Sequence, residues 1–347
     1  MKRISKLLSM ALIGGLLLNS CSSDDDIVDP DGPQAEGDYT NGFFVLNEGS
    51  QAAGTLTYIS EDLQTIEHNI YQNLNENDDL GSFAQSIFFE ENLAYIISNG
   101  SNLITIVDRY TLELVGKVDS GLEVPMYGVV KNGKAYVTNQ ASFSTTTDDY
   151  IAVIDLETLE VEENIALNNV GGKIIEEDGL LYVQNSLYRL GKDISIINPA
   201  NNTIEKTFIT NEGLADFDIE DGLIYALSKS KLEKIDLITG EVISSIELKE
   251  EKANKMEIEN DKIYYTINEG VYVIGKGDET EAEEPLFEYE SRSGSIRMYG
   301  FNVENERIFI ADGNFGSNSF IEIYSLDGEL IKNIEVGVGP NGFYFND

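Results

Sequence analysis

Short apolar runs separated by polar turns recur along most of the chain, and residues 125–161 show the arrangement most clearly. A first apolar run leads into an Asn-Gly pair at residues 132–133, which is a typical hairpin turn. Further apolar runs cover residues 135–137 and 151–154, and Val161 opens a fourth. Short strands joined by tight turns pair as an antiparallel sheet, so this stretch predicts a four-stranded unit.

An aromatic residue lies two or three positions after the first turn of each unit and marks the repeat. The seven copies are Phe44, Tyr95, Tyr136, Tyr182, Tyr225, Tyr264 and Phe309. Neighbouring copies are 39 to 51 residues apart, close to the period of about 40 to 50 residues that four-stranded propeller blades show. The pattern therefore predicts an all-β domain over residues 41–347, a seven-bladed β-propeller of four-stranded antiparallel blades.

The two ends of this region supply complementary halves of one blade. Residues 339–345 (GPNGFYF) have the pattern of a first strand with nothing after it, and residues 41–47 (NGFFVLN) that of a second strand with nothing before it. A propeller has to close its ring to leave no exposed sheet edge between its ends. We therefore expect residues after Val338 to pair with residues 42–47, so that the N-terminal and C-terminal strands close the ring.

The repeat resembles a known family of propellers. Residues 136–139 read YVTN, and residues 182–185 read YVQN. This is similar to the YVTN-type β-propeller repeats, and the resemblance covers roughly residues 41 to 347. It implies a fold, and it carries little information about function.

The start of the chain has the features of a lipoprotein signal. Lys2, Arg3 and Lys6 precede an apolar run over residues 7–18, which is too short for a stable membrane anchor, so residues 1–20 are predicted to be a signal peptide. The sequence LNSC that ends at Cys21 resembles the lipobox of bacterial lipoproteins. That resemblance implies cleavage before Cys21 and lipid attachment to it; the alternative is an incidental thiol.

Residues 21–40 are predicted to be a lipidated, flexible, acidic tether. Residues 22–26 (SSDDD) resemble the export signal that carries Bacteroidetes lipoproteins to the outer face of the outer membrane. The alternative is a solvated acidic linker. The segment that follows is rich in Asp, Gly and Pro and has no repeated apolar pattern. We expect an outer-membrane protein that faces the cell exterior and touches the membrane only through its lipid.

The charge of the chain excludes one large class of partners. There are 62 acidic against 23 basic residues, a formal net charge of −39. Nucleic-acid binding requires a positive surface that follows the phosphates, so we expect no nucleic-acid partner. The single cysteine allows no disulfide, and stability has to come from the packed blades.

The ends of the propeller narrow the resemblance further. Residues 42–49 (GFFVLNEG) and the GPNGFYF ending resemble the surface propeller lipoproteins of Bacteroidetes that accompany TonB-dependent outer-membrane transporters. The resemblance implies a non-enzymatic protein that captures a scarce nutrient, such as cobalamin or another corrinoid, and passes it to a transporter. The motif builds a strand and a turn, so it does not define the ligand.

The expected binding face of a propeller surrounds the central opening, where the loops leading into the innermost strands meet the loops between second and third strands. Long loops are expected at residues 47–54, 139–149, 185–192 and 312–319. Aromatic rings and Arg donors suit a large planar ligand with amide or carboxylate edges. The candidate ligand-binding residues are Phe83, Tyr127, Phe143, Tyr188, Arg189, Arg297, Tyr299 and Phe315. For each aromatic residue, packing of its own loop is the alternative.

Catalytic and cofactor chemistry find little support in the sequence. His68 is the only histidine, which leaves almost no material for a His-dependent triad or a His-rich metal site. Asp216 and Asp218 on the fifth innermost strand, or Glu257 on the sixth, could supply the carboxylate pair of a glycosidase. Strand alternation puts Asp216 and Asp218 on the same side, where a solvated or channel-lining role is sufficient. No complete calcium loop is present, and the absence of Trp argues against a quinone-cofactor propeller. We expect no cofactor and no metal; the alternatives are a hydrolase or lactonase and an adhesion module.

Overall fold

The computed structural model describes residues 37–76, 78–142, 144–292 and 296–346. The predicted signal peptide, Cys21 and most of the predicted tether lie outside these residues. In the described part, the longest α-helix is α1 (Ile70–Leu74), and no helix there has the length and apolar character needed to cross a bilayer.

The strands form seven antiparallel sheets of four. The first two groups in the chain are β1 (Gly42–Asn47), β2 (Thr55–Ser60), β3 (Ile66–His68), β4 (Ala84–Glu90), β5 (Leu93–Ser98), β6 (Leu103–Asp108) and β7 (Leu114–Val118). The next two are β8 (Pro125–Lys131), β9 (Lys134–Asn139), β10 (Tyr150–Asp155), β11 (Glu160–Ala166), β12 (Ile174–Glu177), β13 (Leu180–Leu187), β14 (Leu190–Asn198) and β15 (Thr203–Ile209). The remaining strands are β16 (Leu214–Glu220), β17 (Leu223–Ser228), β18 (Lys231–Asp236), β19 (Val242–Glu247), β20 (Ala253–Glu259), β21 (Lys262–Ile267), β22 (Gly270–Gly275), β23 (Phe287–Glu288), β24 (Ile296–Glu304), β25 (Arg307–Gly313), β26 (Ser319–Ser325), β27 (Leu330–Val336) and β28 (Pro340–Phe345).

The first blade contains both ends of the described ring, in the order β28-β1-β2-β3. β28 pairs antiparallel with β1, with Phe345 opposite Phe43 and Phe343 opposite Val45. The backbone N–H of Glu48 donates to the carbonyl of Gly339 at 2.9 Å and extends the ladder. The predicted closure is confirmed, and with it the seven-bladed β-propeller.

The innermost strands of the blades are β28, β4, β8, β12, β16, β20 and β24, and each contacts its neighbours around the ring. Because they all run in the same direction, their N-terminal ends meet at one opening. The hairpins between second and third strands turn back on that same face, since adjacent strands are antiparallel. The topology thus brings residues from all seven blades to one mouth.

The core consists of seven apolar clusters, one at each contact between neighbouring blades. A blade inside the ring is covered on both faces, so its inner strands are apolar on both sides; all six residues of β1 are buried. The seven aromatic anchors lie on the second strand of each blade, and each is at most 2% exposed. Each anchor packs in a cluster between its own blade and a neighbour, which explains why the repeat keeps an aromatic ring there.

Candidate functional site

A cavity of about 360 Å³ occupies the mouth of the ring. Each of the seven blades contributes to its wall from its innermost strand or, in the fourth blade, from Lys173 directly before that strand. In blade order these contributions are Asn341 and Tyr344, Gln85, Met126 and Tyr127, Lys173, Ala215, Asn254 and Lys255, and residues 296–299. The hairpin between β13 and β14 completes the wall on one side.

Five of the eight candidate residues line this cavity. They are Tyr127, Tyr188, Arg189, Arg297 and Tyr299. Phe315 does not line it and packs edge-on behind Tyr299, with the ring centroids 5.6 Å apart. Phe83 lies on the same face but outside the cavity, with its ring over Gly100, where an added Cβ would be 2.6 Å from the ring. Phe143 falls outside the described residues.

The hairpin of the fourth blade differs from the sequence expectation. A long loop over residues 185–192 was expected, and that prediction is wrong, because β13 continues to Leu187 and β14 starts at Leu190. Only Tyr188 and Arg189 form the turn, and both have left-handed backbone angles, with φ of 52° and 61°. This is the geometry of a tight two-residue hairpin, which usually carries Asn-Gly. Tyr-Arg gives no such signal in the sequence.

The extended hairpin raises apolar and aromatic side chains above the mouth. Tyr188 is 77% exposed and Leu190 is 73% exposed. The equivalent hairpin of the fifth blade also turns over two residues, 229–230, as the sequence predicts, but its two strands are shorter, with 6 residues each against 8 and 9 in the fourth blade. The unequal hairpins make the mouth a cleft with one high wall.

Three partly buried phenols form the aromatic part of the cavity wall: Tyr127, Tyr299 and Tyr344. The Tyr299 hydroxyl donates to Glu48 at 2.5 Å, and Gln85 donates to the Tyr127 hydroxyl at 3.4 Å. Burial raises the pKa of Tyr127, Tyr299 and Tyr344. They therefore stay neutral near pH 7 and combine an aromatic face with a hydroxyl group.

The charged side chains of the cavity wall are all basic. They are Lys173, Arg189, Lys255 and Arg297, and among the described lining residues none is acidic. The Lys173 ammonium is 3.0 Å from an Asp216 oxygen and donates to the Phe217 carbonyl at 2.9 Å. Arg297 forms an ion pair with Glu269.

Below the mouth, Lys173 lies beside three carboxylates. Burial alone would lower its pKa, but the charges of Asp216, Asp218 and Glu257 outweigh it and the pKa rises. Burial also raises the pKa of Glu257 to about 8, despite the nearby Lys173. The sequence offered the three carboxylates as possible glycosidase groups, with a solvated or channel-lining role sufficient for Asp216 and Asp218. It did not identify the lysine that they surround.

A positional signal in the repeat would have found the missed cations. Lys173 and Lys255 each lie nine residues before the aromatic anchor of their blade, as Tyr127 and Asp216 do. Three of four consecutive blades thus place a cavity-lining residue at one position of the repeat, and the other blade places there Asp216, which accepts from Lys173 behind the wall.

The described residues between 37 and 346 contain no cluster of metal-binding side chains. No group of three His, Cys, Asp or Glu side chains there could hold a metal ion. His68 lies on β3, the outermost strand of the first blade, with Nδ1 3.3 Å from the Thr57 hydroxyl. It therefore has a local hydrogen-bonding role away from the mouth.

Comparison with known proteins identifies a family and many similar folds. A family model described as a domain of unknown function (DUF5074) matches residues 41–345. The search of curated proteins found no match.

Solved structures of similar shape are numerous. A quinonprotein alcohol dehydrogenase-like protein from Bacteroides thetaiotaomicron has a TM-score of 0.70 at 17% identity, over 89% of this chain and 79% of that one. The computationally designed Ika8 protein has a TM-score of 0.60 at 9% identity, over 90% and 92%. BamB from Moraxella catarrhalis has a TM-score of 0.53 at 12% identity, over 87% and 90%. At these identities the likeness shows the fold alone.

Proposed function

We propose that this chain, which belongs to the DUF5074 family of unknown function, is a binding protein that holds a small molecule in the mouth cavity. One observation carries the proposal: all seven blades contribute to a single cavity with phenol faces, amides and basic groups. Its volume of about 360 Å³ falls in the usual range of ligand sites, about 300 to 1,000 Å³. A larger ligand would rest partly outside, against Tyr188 on the raised hairpin.

The location of the protein is part of the same proposal. We propose that Cys21 carries a lipid and holds the propeller at the outer face of the outer membrane, as the lipobox resemblance and the acidic segment that follows it suggest. A lipid anchor with several acyl chains is effectively permanent, since each buried methylene adds about 0.8 kcal/mol. The propeller then captures a nutrient and delivers it to a TonB-dependent transporter.

The proposed ligand is cobalamin or another corrinoid. The resemblance of residues 42–49 and 339–345 to surface propellers that serve TonB-dependent transporters supports this choice. A corrinoid is a large conjugated ring with amide side chains. The phenol rings of Tyr127, Tyr188 and Tyr299 offer stacking faces, and Gln85 and Asn341 offer amide partners.

Calorimetric titration of residues 22–347 with cobalamin tests this proposal. We expect saturable binding at micromolar ligand or below. Tyr188→Ala should weaken it about fivefold, because a stacked aromatic contact on a ligand is worth on the order of 1 kcal/mol. Ile238→Ala is the matched control, since Ile238 is 79% exposed on the fifth blade. Absence of heat and of any thermal shift would remove the corrinoid from the proposal.

The proposed location has its own test. Protease added to intact cells should cleave the protein if it faces outward, and Cys21→Ser should release it from the membrane fraction. Protection from protease in intact cells, together with cleavage after lysis, would contradict exposure at the cell surface.

A hydrolase is the second candidate, favoured by Glu257. A carboxyl group with a pKa of about 8 keeps its proton at neutral pH and has the properties of a general acid. This candidate predicts turnover of small esters, lactones or glycosides that Glu257→Gln abolishes. The binding proposal predicts no turnover by either protein.

A further inference from the structure

We infer that the ligand of the mouth cavity carries a carboxylate or phosphate group, and that Arg189 and Lys255 hold this group while the tyrosines stack on a conjugated part. The inference rests on the proposed binding function and deepens it by naming the chemical class of the ligand.

The composition of the cavity wall is the first argument. The chain has 62 acidic and 23 basic residues, yet the four charged side chains on the wall are all basic. Four charged residues drawn at random from this composition would all be basic roughly once in two hundred draws. Chance therefore does not account for the wall, and a basic wall in an acidic protein is complementary to an anion.

Two acidic groups next to the mouth lie behind the wall and are bonded to wall residues, while Asp218 and Glu257 lie below the mouth beside Lys173. Glu48 accepts from the Tyr299 hydroxyl, and Asp216 accepts from Lys173. These carboxylates face the lining side chains, so a ligand in the cavity meets hydroxyl, amide and basic groups.

Two of the four basic wall residues, Lys173 and Arg297, already have partners within the protein. Lys173 is held by Asp216 and by the Phe217 carbonyl, so its donors are largely used. Arg297 forms an ion pair with Glu269, so a carboxylate already neutralises its charge.

Arg189 and Lys255 form no ion pair with a described residue. This is notable because the chain has 62 acidic residues and only 23 basic ones. The charge of Lys255 acts on Glu257, whose pKa it lowers slightly against the effect of burial. Elsewhere Lys276 alone pairs with three carboxylates. Two cations on one cavity wall that no described carboxylate pairs with are therefore available to a ligand.

The local structure presents both groups to the cavity. Arg189 lies in a two-residue turn whose strands are paired to its flanks, Leu187 with Leu190, so its backbone is held in place. Lys255 lies on the innermost strand β20, where its backbone N–H donates to Thr266 at 3.1 Å. An arginine can bind a carboxylate or a phosphate with two parallel hydrogen bonds, and a lysine adds a point charge.

Two matched ligand pairs test the inference on residues 22–347, whose described part is one closed ring with its own core. The first pair is a corrinoid with free carboxylate side chains and the same ring with amide side chains. The second pair is pyrenebutyrate and the neutral pyrenebutanol, followed by fluorescence anisotropy. In each pair that binds, we expect the carboxylate to bind at least about tenfold more tightly.

Variants then assign the preference to its residues. Arg189→Gln and Lys255→Gln should each reduce the preference for the carboxylate several-fold and leave the neutral ligand nearly unchanged. Lys134→Gln makes the same charge change on the opposite face, where Lys134 pairs with Glu162, and should preserve the preference. High salt should also reduce it, because exposed charges are screened.

The outcomes separate this inference from the corrinoid proposal. If the pyrene pair shows the preference and neither corrinoid binds, the inference stands and the corrinoid proposal fails. Equal binding within both pairs, absence of binding by both carboxylates, or a preference that survives both variants overturns the inference. Because the protein is strongly negative overall, tight binding of an anion would identify local contacts and exclude non-specific attraction.

Discussion

At the scale of single residues, Lys173 is the central charge of the propeller mouth. Its ammonium bonds Asp216 and the backbone of the neighbouring strand, and it lies close enough to Asp218 and Glu257 to be stabilised by both. One cation cannot compensate three enclosed carboxylates. Burial therefore raises the pKa of Asp218 as well as that of Glu257.

The pH dependence of stability follows from Glu257. Its pKa is about 8 in the folded protein, against 4.5 for an unperturbed glutamate side chain, so the folded protein holds a proton that the unfolded chain has lost. The folded state binds more protons between these values, and the free energy of unfolding falls as pH rises from about 4.5 to 8. Asp216 and Asp218, which also face Lys173, add to the effect because their charges disfavour ionisation of Glu257.

Glu257→Gln should remove this penalty, because glutamine cannot ionise. Relative to the wild type, the variant should gain on the order of 3 to 5 kcal/mol at pH 9 and less than about 1 kcal/mol at pH 5. Urea unfolding at the two pH values measures the difference. Glu259→Gln on the same strand is the matched control, and an equal gain at both pH values would contradict the assignment.

At the scale of elements, each blade is defined by its second strand and the aromatic anchor on it. Tyr136 shows how one anchor joins two blades, because its ring packs in the cluster shared with the fourth blade. Its hydroxyl has two acceptors within reach in that blade, the Pro199 carbonyl at 3.2 Å and the Asn202 side-chain oxygen at 3.3 Å. The sequence repeat thus marks the contacts between blades.

Truncation of the Tyr136 side chain should strongly lower the stability of the propeller. Tyr136→Ala is expected to lower the free energy of unfolding by about 3 to 5 kcal/mol, because it opens a large cavity between two blades. Tyr136→Phe keeps the ring and loses the hydroxyl contacts, at about 1 kcal/mol. Denaturant unfolding compares them with Tyr188→Ala, an exposed tyrosine whose loss should be nearly neutral; similar effects at both positions would refute the role of the anchor.

The hairpins between second and third strands differ from blade to blade, whereas the strands repeat. The fourth blade extends its hairpin to Leu187 and Leu190 and changes its pairing register between Asn185 and Ser186. A register shift adds twist and redirects the strand ends. Nothing in the repeat specifies this departure, so the elements that shape the mouth are those in which the blades differ.

At the scale of the whole molecule, closure holds the ring together. Besides the β1–β28 ladder, Asn346 is fully buried and links three segments. Its amide donates to the Tyr39 carbonyl at 2.7 Å and to the Arg109 carbonyl at 2.9 Å, and its oxygen accepts from the Arg109 side chain. One side chain near the C-terminus thus ties the first two blades together.

Loss of closure should destabilise every blade, because the blades share their core clusters. Deletion of residues 339–347 should lower the melting temperature sharply, and this variant could fail to fold. Asn346→Ala leaves the strand intact and should cost about 2 to 3 kcal/mol, since buried polar groups lose their partners. An unchanged melting curve for Asn346→Ala would show that the hydrogen bonds of Asn346 contribute nothing to stability.

The sequence by itself determined the number of blades, the strand that holds each anchor and the pairing that closes the ring. These features depend on short-range alternation and on a repeat of fixed length, both of which can be counted along the chain. It also located the face on which Tyr127, Arg189 and Arg297 meet. Only the tertiary structure decided which residues share the cavity, because that depends on seven strand ends meeting around an axis.

Lys173 and Lys255 show why the sequence did not determine which residues share the cavity. Lys173 and Lys255 occupy the same position of different blades, but their fates differ: one is held by Asp216 of the neighbouring blade, and the other faces the cavity without an ion pair to a described residue. Pairing between blades is set by ring geometry, which no local pattern encodes. The basic wall of an acidic protein is therefore a property of the assembled ring.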